Sequence, residues 1–177
     1  MEKIPLNGIE DDTIKTETSG EIKVELDNFS AVWERAEADD SKEQTLAIKN
    51  VSLSAKPGQL VAIVGPVGSG KSSLVSSILH ETEQVGGTIK VMGRIAYVSQ
   101  DAWIFNGTIR ENILFGKVYE EAKYNDVIRM CALDKDLKQF SNLDETLVGD
   151  RGHSLSGGQK VRIGLARAIY SDADIYL

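Results

Sequence analysis

Eight consecutive residues restrict what this chain can become: Gly65-Pro66-Val67-Gly68-Ser69-Gly70-Lys71-Ser72. An apolar run, Leu60-Val61-Ala62-Ile63-Val64, precedes them, and Ser73-Leu74-Val75-Ser76-Ser77-Ile78-Leu79 follows. The order reads as a buried strand, a glycine-rich turn and a helix starting near Gly70, with the G-x-x-x-x-G-K-[ST] spacing of a phosphate-binding loop. Glycines let the backbone adopt φ > 0 and wrap closely around an anion, so that successive N–H groups point inward as a nest. The helix start adds its positive end to the same place. Lys71 supplies an ammonium for β- and γ-phosphates, Ser72 a hydroxyl for Mg²⁺, and Ser73 follows on the opening turn. An ordinary glycine turn matching by chance is the alternative, and the strand before and helix after speak against it. A nucleotide is the expected ligand.

A chain of 177 residues suffices for one domain with its own core. A 41% hydrophobic and 27% charged composition is that of a soluble globular protein. The net charge of −7 argues against a nucleic-acid surface, which needs a basic face. One cysteine, Cys131, excludes an internal disulfide and a cysteine-based metal site, and is expected to be a small buried residue. No apolar run approaches the ~18 residues of a membrane span, and Met1 to Gly20 has no signal-peptide core.

Residues 1–20 read as an acidic flexible linker, and the folded part as residues 21–177. Ile22, Val24 and Leu26 alternate with Glu21, Lys23 and Glu25, a half-buried strand continuing toward Phe29 to Trp33. The charged stretch Glu34 to Gln44 reads as a solvated hairpin loop. Strand patterns return at Leu46-Ala47-Ile48 and Val51-Ser52-Leu53, and Lys56-Pro57-Gly58 is a turn. Gly86-Gly87 is expected to turn into Thr88 to Val91, and Met92-Gly93-Arg94 into Ile95 to Val98. Thr108–Leu114, Tyr119–Cys131 and Asp134–Phe140 have helical composition. A last helix is expected from Ser156, with Val161, Leu165 and Ile169 on one face and Lys160, Arg162 and Arg167 toward solvent. Ile175-Tyr176-Leu177 opens as a buried strand. Strands flanked by helices around a phosphate loop predict an α/β core. His80 and His153 are expected to be surface residues.

Leu155-Ser156-Gly157-Gly158-Gln159 stands directly before the last helix. It is a second glycine-rich helix start, able to hold an anion through backbone N–H groups and the Ser156 hydroxyl, or simply to cap the helix. With this stretch the chain resembles the nucleotide-binding domains of ABC transporters, from Glu21 to Leu177. Leu155 to Gln159 matches that family's signature, and Val98-Ser99-Gln100 its Q-loop. Val148-Gly149-Asp150-Arg151-Gly152 and Trp103 to Gly116 look like exporter segments. The phrasing is closest to the first nucleotide-binding domain of the multidrug-resistance-associated proteins, subfamily C, of the short-form type.

The resemblance implies a P-loop NTPase (RecA-like) core, an antiparallel β subdomain and an α-helical subdomain carrying the signature. It implies ATP and Mg²⁺ as ligands, and a second nucleotide-binding domain closing head to tail, so that ATP lies between one loop of the Lys71 type and one signature of the Ser156 type. Trp33 stands where the family stacks adenine, although it could be a strand's core residue, and Phe29 is a second candidate. Gln100 would position Mg²⁺ or the attacking water, and Gln100 to Phe105 would face membrane-embedded domains, with core packing the alternative for Trp103 and Phe105. The strand at Ile175 should run on to a metal-holding Asp, a catalytic carboxylate and a switch histidine. These lie beyond Leu177, so the chain is expected to be a fragment without its last core strands. The implied role is the ATP-binding, and in the whole protein ATP-hydrolysing, domain of an exporter at the cytoplasmic face of a membrane, moving organic anions or drug-like compounds. The alternatives are a non-hydrolytic ATP-binding module or an inactive fragment. A soluble ABC ATPase acting on DNA or ribosomes fits the acidic charge poorly, and no Asn-Lys-x-Asp stretch supports a GTPase.

Overall fold

The alternating stretch after Lys23 forms strand β1, Val24–Val32, in a computed structural model that describes residues 23–33, 46–149 and 154–177. The linker (1–20), Ile22, the charged loop (34–44), Asp150 to Gly152 and His153 lie outside the described residues. β1 is the middle strand of an antiparallel sheet between β2, Ile48–Ala55, and β3, Glu83–Val91. Its register pairs Leu26 with Leu53 on one side and with Ile89 on the other. The alternation holds at its start, where Val24 and Leu26 are buried and Asp27 and Asn28 exposed. It then breaks at a bulge, where Asn28 takes a φ of 46° and Phe29 to Val32 are all buried. Phe29 is 1% exposed, and burying a ring of that size contributes about 2 kcal/mol.

Gly86 and Gly87 lie inside β3 rather than in a turn before it. Gly87 sits at φ 70° against the bulge, where a Cβ would stand 2.3 Å from the carbonyl oxygens of Asp27 and Asn28. A glycine pair serves a bulge and a turn for the same reason, so local composition does not separate them. The turn at Lys56-Pro57-Gly58 forms as expected, closed by Gln59 N–H to the Lys56 carbonyl at 3.1 Å.

The expected strand at Leu60 to Val64 does not form. No strand among the described residues pairs with it, and Leu60 and Val64 are 97% and 88% exposed. A strand exists through its neighbours, and an apolar run alone cannot supply them. Helix α1, Lys71–Ile78, follows the loop and drives Ile78 into the core beneath the sheet, with Val24, Leu26, Phe29, Ala31, Ile48 and Ile175. β4, Ile95–Ala96, runs parallel to β7, Ile175–Tyr176, so the late strand docks on this core too.

A second core gathers the helices. β5, Gly107–Thr108, leads directly into α2, Ile109–Leu114, whose start is closed by a reciprocal cap between Thr108 and Glu111. α3, Glu121–Met130, and the short α4, Asp134–Leu137, follow. β6, Leu147–Val148, pairs back on β5. α5, Gly157–Tyr170, packs on α2 and α3, and Cys131 is buried in this core. The buried face of α5 is Ile163, Ala166 and Tyr170, at 0–1% exposure, not Val161, Leu165 and Ile169. Val161 and Leu165 are more than a third exposed, and Ile169 lies at the margin. Four-residue steps advance about 40° around a helix each time, so a run of them drifts off any one face. Tyr170 is pinned twice: its hydroxyl accepts from Glu120 N–H at 2.9 Å and donates to the Val118 carbonyl at 2.6 Å.

Candidate nucleotide site

The loop from Gly65 to Ser69 is exposed, and α1 opens at Gly70 in the left-handed conformation, φ 85°. Gly68 is left-handed as well, φ 81°, and a Cβ on Gly65 would stand 2.6 Å from Ser69 Oγ. The left-handed Gly68 and Gly70 are the positions at which the turn requires glycine, whereas a Cβ on Gly65 would displace only the Ser69 hydroxyl. The Lys71 ammonium donates to the carbonyls of Gly65 and Pro66, at 2.9 and 2.8 Å, and so arches over the loop. No side chain caps α1, and its first turn carries no acid. The first N–H groups of a helix have no partner within it, so the start of α1 offers donors and a positive dipole end beside an ammonium. An anion is the chemistry this geometry accepts. Ser72 is exposed on that turn, and Ser73 is partly covered.

Mg²⁺ would find few protein ligands here. No group of three His, Cys, Asp or Glu residues among the described ones could hold a metal. Exposed Ser72 and Gln100 offer neutral oxygens. That fits Mg²⁺, which keeps water and takes substrate phosphates, better than it fits a cation needing a protein cage. The Gln100 loop is shaped by Ser99 Oγ donating to the Asp101 carbonyl at 2.6 Å.

Trp33 is 52% exposed at the end of β1, which removes the core-packing reading, whereas Phe29 is buried and presents no free face. His80 is exposed in the turn after α1, as expected.

Leu155 is buried in the helical core, which anchors the stretch leading into α5. Ser156 caps α5: its Oγ accepts from Gln159 N–H at 3.3 Å, and Gln159 Oε1 accepts from Ser156 N–H at 2.9 Å. Gly157 and Gly158 are exposed beside it. The two readings of this stretch are therefore compatible, because a serine oxygen accepting in a cap keeps its proton to donate. Phosphate loop and signature belong to different cores, the loop helix to the sheet core and α5 to the helical one.

Two expectations for α5 change. Arg162 is not free in solvent but makes a two-pronged ion pair with buried Asp136, Nε–Oδ2 2.6 Å and Nη2–Oδ1 2.8 Å, which holds the guanidinium above its ordinary pKa. Arg167 is turned inward and donates to the Asn112 carbonyl at 2.7 Å, to Asn112 Oδ1 at 3.1 Å and to the Trp103 carbonyl at 3.1 Å. Neither role was visible in the spacing of α5; Arg167 flanked by Ala166 and Ala168 was the only local hint. Trp103 and Phe105 form an aromatic group with Phe115, and Trp103 and Phe115 are more than half exposed. A cleft of about 360 Å³ opens beside it, lined by Tyr97, Val98, Ala102, Trp103, Phe115 and Arg167 among others.

The ABC transporter family profile matches residues 48–177. The chain belongs to the ABC transporter family. It is 51% identical over 160 residues to ATP-binding cassette sub-family C member 4 of Homo sapiens, covering 90% of this chain and 12% of that protein. It is 52% identical over 154 residues to ATP-binding cassette sub-family C member 2 of Mus musculus, covering 87% and 10%. It is also 51% identical over 157 residues to ABC transporter C family member 9 of Arabidopsis thaliana, covering 89% and 10%. The chain thus spans about a tenth of the length of these subfamily C relatives, the multidrug-resistance-associated group. The P-loop NTPase fold follows from the family, and the antiparallel sheet beside helical layers accords with it. No helix among the described residues is long and apolar enough to cross a membrane.

Proposed function

We propose that this chain binds ATP with Mg²⁺ as one of two nucleotide-binding domains of a subfamily C exporter. The observation that carries the reading is the loop itself: two left-handed glycines, the uncapped start of α1 and the Lys71 ammonium converge on one point. In the bound form Lys71 exchanges the Gly65 and Pro66 carbonyls for the β- and γ-phosphates, and the backbone N–H groups of Gly68 to Ser72 enclose the same oxygens. Pro66, Val67 and Ser69 shape the turn, and Ser72 with Gln100 faces the metal. The exposed Trp33 ring is free to stack on the base. Bound Mg²⁺ supplies charge neutralisation for the phosphates.

In this reading Ser156, Gly157 and Gly158 face a second domain's nucleotide, held in position by Leu155 and Gln159. The Gln100–Phe105 segment meets the membrane-embedded domains at the cytoplasmic face, and the whole protein exports organic anions or drug-like compounds. Turnover belongs to the paired assembly.

Lys71→Ala tests the assignment by equilibrium binding of a fluorescent ATP analogue. The expected result is loss of measurable binding with the far-ultraviolet spectrum unchanged. Binding by the variant at parental affinity would overturn the assignment.

A further inference from the structure

Arg167 is a half-buried cation without an acidic partner. Its three hydrogen bonds go to neutral oxygens, two on Asn112 and one on Trp103, and among the described residues no carboxylate pairs with it. Arg162, five residues earlier on α5, has its carboxylate in Asp136. Burial holds the Arg167 guanidinium below its ordinary pKa, yet an arginine stays charged at neutral pH. A charge in such a place is costly unless its surroundings return the energy. Here they do so through two aromatic faces. The guanidinium carbon lies 5.4 Å from the Trp103 ring centre and 5.1 Å from that of Phe115. The two rings meet edge to face at 6.2 Å.

Three separate pieces of chain therefore converge on one side chain: the loop carrying Trp103, the end of α2 with Asn112 and Phe115, and α5. We propose that Arg167 is a positioning residue that fastens the Trp103 loop to the end of α2 and makes the exposed aromatic patch move with α5. The first residue of α5, Gly157, follows the Ser156 cap, and Arg167 stands about 15 Å further along at 1.5 Å per residue. A displacement of the Ser156 end is then delivered to Trp103 and Phe115 through a rigid helix. The fastening stands on geometry alone; the lever between Ser156 and the patch rests on the ATP reading above.

The chain has two tryptophans, so Trp33→Phe leaves Trp103 as the sole reporter. Arg167→Met in that background keeps the apolar stem and removes every donor. Time-resolved fluorescence anisotropy without nucleotide should show the amplitude of the fast local motion of Trp103 at least doubled, with the far-ultraviolet spectrum unchanged. Equal amplitudes in parent and variant overturn the proposal. Arg167→Lys keeps the charge and fewer donors, and should give an intermediate amplitude; it also serves if Arg167→Met does not fold, and an amplitude equal to the parent's then overturns the proposal. With two copies paired around a non-hydrolysable MgATP analogue, as sedimentation shows, Trp103 emission should shift in the parent and shift at least fivefold less in Arg167→Met. Pairing with no shift in the parent, or with an equal shift in both, overturns the lever, and nucleotide bound without pairing removes the head-to-tail reading on which the lever rests. Absence of binding by dialysis in the chain with both tryptophans refutes the ATP reading instead, while the anisotropy contrast still decides the fastening.

Discussion

Asn112 is fully buried, and its amide joins a loop to a helix through four hydrogen bonds. Oδ1 accepts from Phe105 N–H at 3.1 Å and from Arg167 at 3.1 Å, and Nδ2 donates to the carbonyls of Phe105 and Thr108, each at 3.0 Å. At about 0.5–1.5 kcal/mol net for each bond the set is worth roughly 2–6 kcal/mol. Water can reach part of the loop once the amide is gone, which places Asn112→Ala at about 2–4 kcal/mol of destabilisation. For a chain of this size that is a fall in Tm on the order of 5–15 °C. Asn112→Leu separates hydrogen bonding from volume, since it fills the space with a side chain of similar size and no polar atoms. Urea denaturation followed by circular dichroism should place both variants within about 1 kcal/mol of each other. Stability of Asn112→Leu within about 0.5 kcal/mol of the parent would refute the reasoning, because the amide would then be filling space only.

Trp33→Ala should weaken ATP binding by about 1–3 kcal/mol, the scale of one base–aromatic stack, in isothermal titration. Unchanged affinity removes Trp33 from the site. Gly87→Ala should prevent the sheet from closing, read as loss of cooperative unfolding, because its Cβ would meet two carbonyl oxygens at 2.3 Å. A parental denaturation curve would show that the bulge can relax. Acid should weaken the fold partly through Asp172 and Asp174, held below the usual carboxylate range by the Lys123 hydrogen bond and by the Arg94 backbone N–H respectively. Carboxyls depressed in the folded state add stability above their unfolded pKa of about 3.9 and lose it as pH falls through their folded values. The stability gap between the parent and a double Asp172→Asn, Asp174→Asn variant should therefore close below about pH 4, and a gap unchanged between pH 7 and pH 3 counts against it.

What could be read from residue order was whatever depends on neighbours in the chain. The phosphate loop and the start of α5 are contiguous, and their glycines and caps act over three or four positions, so motif and geometry coincide. The first half of β1 and the Lys56-Pro57-Gly58 turn were legible for the same reason. Features with distant partners were not. Leu60 to Val64 has every local mark of a strand, but strand character is conferred by a neighbour. Gly87 answers to Asp27 and Asn28, some 60 residues away. Arg167 meets acceptors 55 and 64 residues earlier, and nothing within α5 distinguishes it from a solvent-facing arginine. The buried face of α5 was misjudged because three apolar residues at four-residue spacing look like a stripe while rotating out of the contact.

The separation of the two cores also bears on how the chain is made. Among the described residues, nearly all of the sheet core comes from residues 24–91 and all of the helical core from residues 104–170. Synthesis from the N-terminus therefore delivers the β2-β1-β3 sheet and α1 while the codons for α5 are still unread. The first core can condense in the order in which it emerges, without waiting for distant segments. Among the described residues, Ile175 and Leu177 return to it from beyond α5, after the helical core has been made. Their pairing with β4 joins two halves that have each had the opportunity to fold, so damage within one half should trap an intermediate in which the other is already built.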